Sequence, residues 1–485
     1  MNGTLAAQSV WAVDRIKDHV SKIGSGVTPS GGAASYLDAG IPLLRSQNVH
    51  FDGLRLDDVA YIAREIHDEM SGTKLRARDL LLNITGASIG RCAFVPDDLG
   101  EANVNQHVCI IRPTARLDYK FLTYCLSAPW GQDQVFWSFT GASRQGLGQR
   151  DLGAIQVPLP PLPEQRRIAA YLDASCVAID AAVTAKRRQL ETLDALRRSF
   201  IQRAVTRGIS EGVALESTGN LWMEQIPRGW KLVCLKRIAE IQGGLTLGKQ
   251  YEGSLIERPY LRVGNVQDGH LDLADVSVIE LPASVATGVE LRPGDVLMTE
   301  GGDLDKLGRG HVWNGEIPGC LHQNHIFAVR CFLHKLKPMF LAHVTAAKYG
   351  RDYFEATGKK TTNLACTNAN KVGEFPIPLP RLAEQEAICA YLETRLGELK
   401  RIVTGIETQI ATLTAYRKSL IHECVTGQRR ITEAEVACSL SSQRTGQLDI
   451  QPSEKLGRLK PKSADDLQCF PRSQQSPAID REILL

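Results

Sequence analysis

Residues 158–173 read PLPPLPEQRRIAAYLD, and residues 378–393 read PLPRLAEQEAICAYLE. The match continues in register well beyond these sixteen residues. Glu164, Gln165, Tyr171 and Leu172 correspond to Glu384, Gln385, Tyr391 and Leu392. Further on, Arg197, Ser199, Ile201, Val205 and Thr206 correspond to Arg417, Ser419, Ile421, Val425 and Thr426, every pair 220 positions apart. About 40 residues repeated without one insertion behave as a helix whose faces must stay in phase, because one added residue turns all that follows by about 100°.

The hydrophobic pattern bears this out. In the second copy Leu392, Leu396, Leu399, Val403, Ile406, Ile410 and Leu413 recur at alternating steps of four and three, with Leu420 following Arg417. That is a coiled-coil seam. The first copy keeps the same phase at Leu172, Cys176, Ile179, Val183, Leu190, Leu193 and Phe200, with Lys186 and Arg197 intruding. Each seam is the natural partner of the other. Pro163 suits a first helical turn, and Gly208 and Gly427 mark the ends. Long helices are therefore expected over 161–208 and 381–427, and at about 1.5 Å per residue some 40 residues of each span roughly 60 Å.

Ahead of each helix lies a globular segment, 1–160 and 209–380, rich in glycine and in short Val, Ile and Leu runs between turn signals. These two segments are themselves related. WAVDRIKDHVSKIGSG resembles WKLVCLKRIAEIQGG, LLRSQNV resembles YLRVGNV, and LRARDLLLNITGASIGR resembles LRPGDVLMTEGGDLDKLGR. NQHV matches QNHI, and TGASRQGL matches TGKKTTNL. The offset drifts here, so loops change length on a common scaffold. The expected fold is α/β, of the α+β kind: two similar globules and two long helices in a head-to-tail duplication. From 428 to 485 periodicity is lost, and a flexible tail is expected.

The 485 residues suffice for two or three domains with cores of their own. No run approaches the roughly 20 apolar residues of a membrane span, and MNGTLAAQSVWAV lacks a basic stretch followed by an apolar one. A cytoplasmic protein is expected. The twelve cysteines contain no CxxC pair and point to neither a zinc site nor a disulfide framework. The net charge of +3 divides into −1 over 1–160, +4 over 161–210, −1 over 211–380 and +1 beyond. This is no uniformly basic coat, so nucleic-acid contact would have to come from local clusters.

The motifs of enzymatic chemistry are missing. Adenine methylation would need an Asn- or Asp-Pro-Pro-aromatic loop, and neither NPP nor DPP occurs. GGLTLGKQ has Gln250 where a phosphate loop needs a Mg²⁺-binding Ser or Thr. His311, His322 and His325 near Asp303 and Asp305 lack the helical spacing of a metal site, and GGDLDK has no acidic counterpart in the first globule. No catalytic residues and no metal ligands are expected.

The arrangement resembles the specificity (S) subunit of Type I restriction-modification systems. The resemblance covers about residues 10–427 and rests on PLPPLPEQRRIAAYLD with SFIQRAVTRG, PLPRLAEQEAICAYLE with SLIHECVTGQ, the GWKLVCLKRIAEIQGG opening, TGASRQGL and QNHI. It implies a non-catalytic chain whose globules are target recognition domains, each reading half of a bipartite asymmetric site in double-stranded DNA. The helices would form an antiparallel coiled coil with pseudo-twofold symmetry, setting the gap and docking two methyltransferase (M) subunits, with restriction (R) subunits joining through the complex. S-adenosylmethionine, ATP and Mg²⁺ are implied for the partners and none for this chain. A methylation-only or Type IIB-like system, and a coiled-coil scaffold without DNA recognition, remain open alternatives.

Bases are read by Arg or Lys on guanine and Asn or Gln on adenine, while small polar and basic residues hold phosphate. The candidates in the first globule are Arg45, Gln47, Asn48, Ser88, Arg91, Gln106, Ser143, Arg144 and Gln145. In the second they are Arg262, Asn265, Asp303, Lys306, Arg309, Asn324, Lys359, Lys360, Thr361 and Thr362. Exposed Glu-Gln pairs with their tyrosines, Glu164, Gln165 and Tyr171 and Glu384, Gln385 and Tyr391, are the candidate partner-docking residues.

Overall fold

A computed structural model describes residues 9–140, 146–246, 248, 251–302, 306–360 and 365–448. The chain forms two compact units, Met1–Ala178 with Lys418–Leu485, and Ile179–Arg417. The two long helices, Leu162–Arg207 and Leu382–Thr426, each contribute to both.

The first unit is built on an antiparallel sheet in the order Val20–Ser25, Val108–Pro113, Leu80–Asn83, Cys92–Phe94. Leu80–Asn83 and most of Val108–Pro113 are buried, which explains their near-continuous apolar runs. Ala60–Ile62, Ile41–Leu44 and Asn103–Val104 form a second, mixed sheet. Two helices, Tyr119–Ser127 and Pro129–Thr140, follow.

The second unit repeats this plan strand for strand. Its sheet runs Ala239–Gly243, Ile326–Cys331, Asp295–Thr299, Gly310–Val312, and its mixed sheet Ser277–Leu281, Ile256–Leu261, Leu321–His322. Helices Pro338–Ala346 and Lys348–Thr357 complete it. Two details show how close the repeat is. A Cβ on Gly26 would lie 2.0 Å from the Val104 carbonyl oxygen, and one on Gly244 would lie 2.2 Å from that of Gln323, so both chain crossings admit only glycine. Asp79 and Asp295 are both almost fully buried. Arg112 donates to Asp79 at 2.6 and 2.7 Å, and Arg330 to Asp295 at 2.8 and 2.9 Å. The same carboxylates accept the backbone N–H of Arg76 and Arg292, so each buried charge is matched and its turn is fixed.

Within the second unit the long helices pack antiparallel. Arg417 pairs with Asp180 at 3.1 Å at one end, while Ile201 and Leu392 share a core at the other. Ile179, Val183, Leu190 and Leu193 of the first helix, and Leu392, Leu399, Val403, Ile406, Ile410 and Leu413 of the second, all lie on the covered stripe. Leu172 is fully buried within the first unit. Arg197 enters the seam because its guanidinium reaches Asp268, an acceptor it shares with Arg351.

Two features differ from the sequence expectation. By length and composition the first long helix holds an 18-residue window, of mean hydropathy 1.5, that could cross a membrane, although no run of twenty apolar residues exists. Ile168, Leu172, Cys176 and Ile179 along it are instead buried. The tail expected from residue 428 is also partly ordered, since Glu433–Leu448 is a helix. Thr432 and Glu435 form its reciprocal cap: Thr432 N donates to the Glu435 carboxylate at 2.8 Å, and Glu435 N donates to Thr432 Oγ1 at 3.2 Å.

Two outcomes are expected from this packing. Ile406 is 9% exposed, so Ile406→Asp places an unpaired charge in the seam and should cost roughly 3–5 kcal/mol, read as a drop in thermal unfolding temperature. His343 has a buried Nε2 without a hydrogen-bond partner among the described residues, and burial pulls its pKa down to about 4. The folded ring therefore stays neutral where the unfolded chain takes up a proton. This contribution is present above about pH 6.5 and is lost as pH falls toward 4. Unfolding at pH 5 should cost about 2 kcal/mol less than at pH 7 through this group, an increment that His343→Phe removes.

Candidate nucleic-acid interface

The loops that carry the candidate residues are brought together at matching places in the two units. In the first, Arg45–Val49 makes a turn held by Asn48. Its Oδ1 accepts Arg45 N at 2.9 Å, and its Nδ2 donates to the Arg55 and Asp58 carbonyls at 2.9 and 3.0 Å. In the second, Asn265 accepts Arg262 N at 2.7 Å and donates to the Asp272 and Asp275 carbonyls at 2.8 and 2.9 Å. Both asparagines are buried and their amides are fully engaged. This corrects the expectation that Asn48 and Asn265 touch DNA: they build the turn and leave nothing to offer a base.

The turn displays the arginine before it. The Arg45 guanidinium donates to the Asp58 carbonyl at 3.2 Å, lies 3.7 Å from the Asp58 carboxylate and stands 5.8 Å over the Tyr36 ring. Gln47 is exposed and donates to Asp58 at 2.5 Å. Arg262 donates to Asp275 at 2.8 Å and is about half exposed. Asp58 and Asp275 stand at the same distance along the chain from their arginines, so each displayed cation is held by an equivalent carboxylate.

Neighbouring loops are tied to this turn. Buried Asn83 donates to the Ser46 carbonyl at 2.8 Å and to Ser88 Oγ at 3.1 Å, joining the two loops. Arg91 is half-buried, and its carbonyl accepts Asn83 N. Gln106 is exposed beside His107, whose Nδ1 lies 2.6 Å from Thr85 Oγ1. Gly146 bridges to Thr85 at the same edge. In the second unit Thr299 takes the place of Asn83, with Oγ1 donating to the Lys306 carbonyl at 2.7 Å. His325 takes the place of His107 and pairs with Glu300 at 3.0 Å. Lys306 is exposed, while Arg309 and Asn324 are half-buried. Lys359–Lys360 forms a short strand against Ala365–Cys366, which pairs with Gly301–Gly302, and both lysines are exposed. Ser143, Arg144, Gln145, Asp303, Thr361 and Thr362 lie outside the described residues.

Sequence reasoning missed Asn83 and the pair His107 and His325, although NQHV and QNHI both carried the histidine. Among the described residues no three His, Cys, Asp or Glu side chains converge as metal ligands. His322 is fully buried and bonded to the Ile326 carbonyl, whereas His325 is exposed.

The candidate docking residues need a second correction. Gln165 and Gln385 are buried, not exposed. Gln165 Oε1 accepts Asp118 N at 2.8 Å, and its Nε2 donates to the Arg116 and Pro160 carbonyls. Gln385 does the same with Lys337 N at 2.9 Å and the Lys335 and Pro380 carbonyls. Each amide clamps a long helix to its own globule. Glu164 pairs with Arg167, and Glu384 accepts from Trp230 Nε1 at 3.1 Å. Tyr171 is buried and Tyr391 half-buried.

As an expected outcome, replacing exposed Lys359 and Lys360 together with Ala should weaken binding to all DNA sequences alike. The salt slope of binding should fall by about 0.9 for each phosphate that is no longer neutralised. A binding isotherm measured across salt concentrations reads this directly.

Comparison with known proteins agrees with the geometry. Residues 11–191 match the family model described as Type I restriction modification DNA specificity domain. The chain is 21% identical over 405 residues to the Type I restriction enzyme EcoKI specificity subunit of Escherichia coli K12, covering 82% of this chain and 84% of that protein. It is 20% identical over 428 residues to the StySPI specificity subunit of Salmonella potsdam, covering 86% and 89%. Among solved structures, a chain from a study of complex assembly and conformational transition of the type I R-M system superposes with a TM-score of 0.62 at 18% identity, over 86% of this chain and 97% of that one. The HsdS subunit from Thermoanaerobacter tengcongensis gives 0.50 at 18% identity over the same shares. Over more than four fifths of its length the chain is thus similar to Type I restriction enzyme specificity subunits, and residues 11–191 match the family's DNA specificity domain.

Proposed function

We propose that this chain is the non-catalytic DNA-recognition subunit of a Type I restriction-modification complex in the cytoplasm. Each globule reads one half of a bipartite asymmetric site in double-stranded DNA. The long helices dock two methyltransferase subunits, and restriction subunits join through the complex, so that the site directs adenine-N6 methylation or cleavage. S-adenosylmethionine, ATP and Mg²⁺ act on those partners and not on this chain.

The observation that carries the reading is the twice-built loop cluster. The scaffold is the same in both units, with Asn48 matched by Asn265, and Asp79–Arg112 by Asp295–Arg330. The displayed chemistry differs: Gln47 and Ser88 in one unit answer to Gly264 and the Lys306 and Lys359–Lys360 cations in the other. One frame carrying two sets of polar side chains is what reading two different half-sites requires.

The test is to co-express the full chain with its methyltransferase and map N6-methyladenine across the host DNA. A two-part asymmetric motif with a fixed gap, methylated once on each strand, is expected. A stable complex that methylates without any motif would contradict the assignment.

A further inference from the structure

The two helix starts have nearly the same sequence but unequal surroundings. On the first helix Ala169, Tyr171 and Ala174 are buried, at 2%, 8% and 1% exposure. Their counterparts 220 positions on are more open: Cys389 and Tyr391 are half-buried, and Thr394 is exposed. The same contrast holds at Arg167 against Ala387, Ala170 against Ala390 and Ser175 against Arg395, each half-buried in the first copy and exposed in the second.

The segment after Gly427 lies over Tyr171 in this face. Arg429 places its guanidinium 5.3 Å over the Tyr171 ring and pairs with Glu435 at 3.4 Å. Arg430 stands 5.0 Å over the Trp11 ring, and Ile431 is 2% exposed. Thr432 then caps the helix Glu433–Leu448. The described residues of the second unit include no equivalent. After Gly208 the corresponding Ile209, Ser210 and Glu211 are exposed, and the chain passes to the strand Leu215–Asn220. The cation over the Tyr391 ring comes from Arg395 of its own helix, at 5.8 Å.

We infer that residues 428–448 are an intramolecular plug over the first of two repeated docking faces, so that a methyltransferase subunit enters the open face at Tyr391 first. The inference rests on the proposed docking of methyltransferases to these helices. The plug also indicates what the open face takes: a helical segment of the methyltransferase that offers a guanidinium to the tyrosine and an apolar side chain beside it. A site open only in the fraction of molecules whose plug has left binds more weakly by that fraction.

The experiment titrates the methyltransferase into the full-length chain and counts bound copies by native mass spectrometry. Two steps are expected, the first at least about tenfold tighter than the second. Ile431→Asp, which expels the plug, should bring the two steps to within about twofold. Arg429→Ala, which leaves Ile431 in place, should narrow the gap part of the way. Tyr391→Ala should weaken the first step and spare the second. Two equal steps in the natural chain, or a gap that neither plug variant changes, overturns the inference while the docking reading stands. No methyltransferase bound at either step overturns the docking reading and this inference with it.

Discussion

The buried primary amide at the start of each long helix is the constraint on which the rest of the structure depends. Gln165 and Gln385 each make three hydrogen bonds, one to the backbone N–H just before the helix Tyr119–Ser127 or Pro338–Ala346 and two to backbone carbonyls. A buried amide leaves little tolerance, since removing one partner costs the desolvation of that group, about 1–3 kcal/mol. The globule is therefore fixed to its helix at a single rotational setting. Without that clamp, a repeated helix would hold its globule at no defined angle.

From this anchor outward, each unit separates what holds from what displays. The carboxylates of Asp79 and Asp295, bound bidentately by half-buried Arg112 and Arg330, and the turn-holding Asn48 and Asn265 are buried and hydrogen-bonded. The displayed groups Gln47, Arg45 and Arg262 sit one to three residues from those asparagines, on backbone that their bonds hold. Arg45 and Arg262 are held by carboxylates thirteen positions further along, Asp58 and Asp275. An arginine kept in place by a surface carboxylate can be released at little cost, because such exposed pairs are worth only about 0–1 kcal/mol. The loops are thus preorganised without being locked.

The duplication is strict where packing demands it and relaxed elsewhere. Gly26 and Gly244 admit no side chain, and the seam residues keep their phase over the full helices. Asn83 has become Thr299 and Ile84 has become Glu300, yet the backbone bonds to Arg91 and Arg309 are retained. The segment after Gly427 breaks the symmetry altogether. Two near-identical helix starts consequently present different surfaces, which no comparison of their sequences alone would show.

The duplication, the seam from Leu172 to Leu413 and the helix boundaries could be read from the sequence, because a coiled coil writes its contacts locally, every three or four residues, in the chain itself. The Thr432–Glu435 cap is equally local, and its spacing marks a helix start where only a flexible tail was expected. The fate of each polar residue could not be read this way. Asn48, Asn265, Gln165 and Gln385 carry the same side chains as base-reading or docking residues, and only the tertiary structure turns them inward onto carbonyls tens of residues away or at the far side of a turn. A side-chain amide declares what it can bond to but not which partner folding brings within reach. The sequence therefore determined the frame, and the packing of distant segments decided which of its polar groups face out.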